Sequence, residues 1–233
     1  MMVTSKNSGV AAAYHLMQLC DSALPVGGFS FSCAMESAAA QGLLRSADDV
    51  ARYVRAVVRQ SLLSDGVAAL HAWRHGHSIE ELCRADRELM VRKSSAEMRT
   101  MSARMGRKLA ELSSEILPCH DIDEWLTHIV QHRTIGSYAV TQGLVFSLCG
   151  AVEQDLFAAV GYGAAGMVLG AALRLVRVTH RDTQQILFSL ASYVESLYEE
   201  ARALDLEQIH GFAPEIDILS SLHERGTQRM FMS

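Results

Sequence analysis

At 233 residues, with 49% apolar side chains and only three prolines, the chain is long enough to bury one large core. Its formal net charge of -5 and the lack of a Lys/Arg-rich run exclude the basic face that neutralising phosphates requires, so no nucleic acid is expected as a partner. The opening MMVTSKNSGV has no apolar signal-peptide core, and the apolar stretches look too short or too interrupted by charge to span a bilayer, so no membrane contact and a cytoplasmic location are expected.

After a flexible start over residues 1–10, Ala11 to Cys20 reads as a helix. The loop DSALPVGGFS follows at 21–30: Pro25 restricts Leu24 to extended conformations, and Gly27 and Gly28 can take positive φ, so the loop has a defined shape. Ser46 with Asp49 and Ser78 with Glu81 have capping-box spacing, and Asp121 with Glu124 is a weaker version; these predict helix starts near 47, 79 and 122. From 96 to 116 the series Met98, Met101, Met105, Leu109, Leu112, Ile116 steps by three and four along one helix face. Ile186, Leu187, Leu190, Val194, Leu197, Tyr198 and Ala201 do the same nearer the end. Beyond Leu204 the helical pattern fades into the tail GFAPEIDILSSLHERGTQRMFMS. No segment alternates with period two, so no strand is required.

Chemistry-bearing motifs are sparse. Five cysteines, Cys20, Cys33, Cys83, Cys119 and Cys149, are widely spaced without a C-x-x-C pair and read as small buried apolar residues. Gly161, Gly163 and Gly166 spell G-x-G-x-x-G, with Asp182 near the spacing of a ribose-binding acid, but no βαβ pattern surrounds them. The plainer reading is a small-residue stretch that lets a helix approach its neighbours. His71 with His75 and His128 with His132 are spaced four apart, and Cys119, His120 and Asp121 cluster after Pro118 in a loop. These leave open a small helical metal-binding protein or metalloenzyme, although neither pair has the further ligands of a tight zinc site. The methionine stripe reads as core filling. Nucleophile elbow and phosphate-loop motifs are absent, so neither catalytic residues, a resident metal nor a cofactor is expected.

Three segments, in order, resemble the UreF family of urease accessory proteins. LMQLCDSALPVGGFSFSCAMES at 16–37 is similar to its N-terminal signature through Leu19, Asp21, Pro25, Gly27, Gly28, Phe29, Ser30, Ser32 and Glu36. LRLVRVTHRDTQQILFSL at 173–190 matches at Arg174 and Gln184, and the terminus matches at Pro214, Ser220, His223, Glu224, Arg229, Phe231 and Ser233. The pattern departs at Phe31, Cys33, Ala34, Met35, Thr179, His180 and Met230. With the helical periodicity, the resemblance leads to one all-α, UreF-like domain over 1–233, a bundle of roughly ten helices. It implies a homodimer that bridges UreD (also called UreH) and the GTPase UreG in the complex that inserts nickel into apo-urease, regulating the GTPase without catalysis of its own. Partner-binding residues would then be Pro25, Gly27, Gly28, Ser30, Glu36, Arg174, Gln184, Pro214, His223, Glu224, Arg229 and Phe231. The tail, about 211–233, has apolar anchors at Ile216, Ile218, Leu219, Leu222, Met230 and Phe231 but few local contacts, so it is expected to order on a partner rather than on its own domain.

Overall fold

The computed structural model describes residues 9–28, 31–224 and 231. Among them lie twelve α-helices and no strand: α1 (Val10–Cys20), α2 (Met35–Ala40), α3 (Ala47–Ser61), α4 (Val67–Arg74), α5 (Ile79–Arg92), α6 (Ala96–Ile116), α7 (His120–Val130), α8 (Tyr138–Leu148), α9 (Glu153–Leu175), α10 (His180–Ser189), α11 (Ala191–Ala201) and α12 (Pro214–Glu224). Ten of the twelve have ten residues or more, so the architecture is the expected all-α bundle. A π-helical turn, Leu62–Gly66, joins α3 to α4. Buried apolar side chains form a contiguous core that runs from Leu19 to Phe231.

Local chemistry sets the helix starts. The Ser46 hydroxyl accepts from Asp49 N while the Asp49 carboxylate accepts from Ser46 N, a complete capping box at α3. Ser78 caps α5 by accepting from Glu81 N, but the Glu81 carboxylate turns away to His71 and Arg84. Two caps went unrecognised in the sequence: Thr179 with Asp182 form a full box at α10, and Ser95 accepts from Met98 N at α6. The third expected start moves: α7 begins at His120, with Cys119 as an N-cap that makes no side-chain bond, so His120 and Asp121 stand in a helical first turn and not in a loop.

The bundle is built around α8, whose residues from Ala139 to Phe146 are all buried. Packing of that depth needs close backbone approach. A β-carbon on Gly143 would run into the Ala69 carbonyl of α4, and one on Gly106 of α6 into the Gly136 carbonyl. The loop that launches α8 is shaped by Asp86 of α5. That carboxylate, 1% exposed, accepts from Thr134 Oγ1 (2.6 Å), Ile135 N (2.9 Å), Gly136 N (2.9 Å) and Ser137 N (2.7 Å). Trp125 Nε1 of α7 donates to Thr141 Oγ1 of α8 at 2.9 Å, so the indole is buried without an orphaned donor.

Four expectations are corrected here. α9 is long and apolar enough to cross a membrane by length and composition, because its Gly/Ala-rich middle carries no charge; in the bundle it packs against α2, α3, α10 and α11. The apolar run from Ile186 to Ala201 is two helices that break at Leu190, since a turn there keeps Ile186, Leu190 and Leu197 on one core. On α6 the stripe is core at Met105 and Leu109 only; Met98 and Met101 are half-buried, and Ile116 is 43% exposed. Finally, the pattern does not end at Leu204. Pro214 begins α12, and Ile216, Leu219, Ser220, His223 and Phe231 are buried against the chain's own bundle, so these anchors already have a home.

Candidate partner-binding site

The signature loop has the shape its residues dictate. Asp21 Oδ1 accepts from Ala23 N at 2.8 Å, Leu24 N donates to Asp21 O at 3.0 Å, and Gly27 takes φ +85° beyond the exposed Pro25 corner. Gly28 lies against the Met105 side chain. The chain then passes through two left-handed residues that are not glycine, Cys33 (φ 49°) and Ala34 (φ 63°). Tyr53 fixes that strained turn by donating its hydroxyl to Cys33 O at 2.7 Å. α2 starts immediately after it and carries Glu36 in its first turn.

His223, near the C-terminal end of α12, reaches into this corner and is 4% exposed. Its Nε2 lies 3.0 Å from Glu36 Oε2 and its Nδ1 2.8 Å from Glu97 Oε2 in the first turn of α6. Each ring nitrogen thus faces a carboxylate oxygen within hydrogen-bond distance, which fixes the orientation of the ring. Next to it, Glu224 Oε1 accepts from Ser95 Oγ (2.9 Å) and Glu97 N (3.2 Å), so the tail caps α6. The Glu97 amide first, and then the Ser95 hydroxyl, hold the Glu224 carboxyl below its usual range. Phe231 N donates to Glu36 Oε2 at 3.1 Å, its ring is buried, and the Arg174 guanidinium at the end of α9 stands 5.4 Å from the ring centroid.

Glu36, Arg174, His223, Glu224 and Phe231 therefore meet at one junction, although Glu36 comes from a segment more than a hundred residues before the other four. The other expected site residues lie apart from these bonds. Pro25 and Pro214 are exposed, Gly27 and Gly28 shape the loop, and Gln184 is exposed on α10. Ser30 and Arg229 lie outside the described residues. Glu97 and Ser95 were missed, and no motif marks them; a serine N-cap followed by a first-turn glutamate was the available hint. Beside the junction α12 turns Ile218 (60% exposed) and Leu222 (46% exposed) outward, one helical turn apart, with Phe212 also exposed.

The metal alternative finds little geometry. His71 stacks on His75 with ring centroids 4.4 Å apart, and its Nε2 is 2.9 Å from Glu81 Oε2; burial pushes its pKa down. His132 lies beyond the end of α7 at φ 55°, so it does not continue the helix face of His128, whose Nδ1 faces Cys83 Sγ at 3.7 Å. Among the described residues no three His, Cys, Asp or Glu side chains come together as a metal site. The G-x-G-x-x-G run is mid-helix in α9. A β-carbon on Gly161 would lie close against Leu62 and Val194, while one on Gly163, Gly166 or Gly170 would meet no neighbouring atom within 4 Å, and these three border a cleft.

The UreF family model matches residues 44–191. "Urease accessory protein UreF 2" of Brucella abortus (strain 2308) is 41% identical over 221 residues, 94% of this chain and 91% of that protein. "Urease accessory protein UreF" of Yersinia enterocolitica is 36% identical over 218 residues, 93% of this chain and 96% of that protein. Identity of this extent, over nearly the whole of both chains, means that the chain belongs to the UreF family of urease accessory proteins, a non-catalytic family.

Proposed function

We propose that this protein is a scaffold in urease maturation: it bridges a UreD (UreH) partner and the GTPase UreG, pairs with a second copy of itself, and through that complex brings nickel to apo-urease while regulating the GTPase's cycle. The observation that carries this reading is the junction at His223, where residues of all three signature segments meet in a chain whose family assists urease. The buried side of α12 organises the corner, and the outward pair Ile218 and Leu222 supplies apolar area for a partner next to it.

Co-expression with UreD and UreG followed by co-purification tests the surface. Ile218→Asp with Leu222→Asp changes only exposed positions, so the helical circular dichroism should persist while recovery of the complex falls at least tenfold, as a hot-spot pair costing about 1.4 kcal/mol or more would predict. Undiminished recovery would remove α12 from the partner surface.

A further inference from the structure

A cleft of about 370 Å³ lies between the signature loop, α6 and the glycine face of α9, within the range of about 300–1,000 Å³ that small-molecule sites occupy. Nothing in the scaffold reading uses it. Gln142 of α8 is 4% exposed and borders the cleft, yet among the described residues its amide makes no hydrogen bond. A side-chain amide carries two N–H donors and an acceptor oxygen, and a buried one is normally paired; these groups are presented to the cleft instead. Ser102 of α6, 2% exposed, borders the same space. Its hydroxyl oxygen accepts from Tyr138 N at 3.2 Å, and the hydroxyl donates to none of the described residues. Because Gln142 follows Tyr138 by one turn of α8, the two polar groups stand at the same end of the cleft.

The walls favour a flat ring. A β-carbon on Gly163, Gly166 or Gly170 would meet no atom within 4 Å, so no neighbour in the chain requires glycine there, although glycine weakens a helix interior. What the three provide is a strip of bare backbone along the cleft. Met98, Met101 and Met105 of α6 border the same cleft, and thioether sulfur makes favourable contacts with aromatic rings. Charge, in contrast, is balanced. The ionised side chains of the lining are Asp21, Asp65 and Asp217 against Arg92, Lys93 and Arg174. Lys93 Nζ engages both oxygens of Asp65 at 2.9 and 2.8 Å, and Arg92 is held by Glu88 at 2.6 Å. An ionic ligand would find no counterion waiting for it.

We propose that this cleft binds an uncharged, planar heteroaromatic molecule whose edge carries a hydrogen-bond donor beside an acceptor, as the edge of a purine does. The Gln142 amide pairs with that edge through one donated and one accepted bond, the arrangement by which glutamine reads an adenine. The Ser102 hydroxyl supplies a further donor near it, and the methionines and the glycine strip enclose the faces of the ring.

This inference is independent of the scaffold reading, and its main test does not involve urease. The purified full chain is titrated with adenine and with hypoxanthine by calorimetry and ligand-observed saturation-transfer NMR, with naphthalene as a flat ring that lacks a polar edge. One equivalent of at least one purine should bind. Gln142→Met keeps the length of the side chain and removes its hydrogen bonds, so it should weaken the purine at least tenfold while leaving naphthalene unchanged. Gly166→Leu grows into open space, so the helical circular dichroism should persist while binding of both rings is lost. No saturation transfer from either purine to the wild type, or wild-type purine affinity in Gln142→Met, would overturn the site. Should no ring bind while Gly166→Leu abolishes recovery of the complex with UreD and UreG, the cleft receives a protein partner and the small-molecule proposal is likewise overturned.

Discussion

Asp86 shows how much structure one buried carboxylate can organise. It receives one hydroxyl and three backbone N–H groups from residues 134–137, and without it those donors would be left in the interior at the start of α8. Removing a charged acceptor with this many partners costs about 3 kcal/mol. Asp86→Ala should therefore lower the unfolding free energy measured by urea denaturation by that amount; a change below 1 kcal/mol would show that water replaces the carboxylate. Glu224 provides a pH test of the tail. Its folded-state pKa is depressed from 4.5, so its contribution is present above about pH 4.5 and is lost as pH falls through the lower folded value. Amide exchange of residues 214–224, corrected for intrinsic rate, should accelerate below that pH; constant protection down to pH 3 would contradict the capping role. None of these partners was legible from sequence. Asp86 sits in no motif, and the loop it organises lies about fifty residues further along the chain.

At the scale of elements, sequence served best where the deciding interaction is local. The Ser46 cap spans four residues and was visible as such, and Ser46→Ala should cost about 1 kcal/mol by thermal or urea melting. Locality also explains the misses. The Thr179–Asp182 box was obscured because Asp182 was weighed as a ribose ligand, and the break at Leu190 left the apolar period uninterrupted. Close approach between helices is a non-local property. Nothing near Gly143 in sequence announces that α4 presses the Ala69 carbonyl onto it. Gly143→Ala should destabilise by about 3 kcal/mol, since backbone rather than a movable side chain must yield; a substitution costing under 0.5 kcal/mol would mean that α4 and α8 slide apart freely. Gly163→Ala on the cleft side of α9 meets no atom within 4 Å and should be neutral or slightly stabilising.

For the whole molecule, the tail is the point where sequence reading and structure diverge most. Its apolar residues suggested a segment that waits for a partner, yet Ile216, Leu219 and Phe231 close the chain's own core while His223 and Glu224 tie together the starts of α2 and α6. Whether a run such as PEIDILSSLHE folds onto its own domain depends on the groove between α2, α6 and α9, which no local pattern records. The identity of the signature residues was legible; their convergence was not. The two faces of α12 thus differ, the inner one holding the fold and the outer one exposing Ile218 and Leu222, where the proposed partner would dock. The most direct measurement is urease activity in cells that carry the urease genes but lack this chain, complemented with the wild type or with Ile218→Asp/Leu222→Asp. Activity near background without the chain, restored by the wild type and not by the folded double variant, is the predicted result; full activity in the cells lacking it would contradict the accessory role itself.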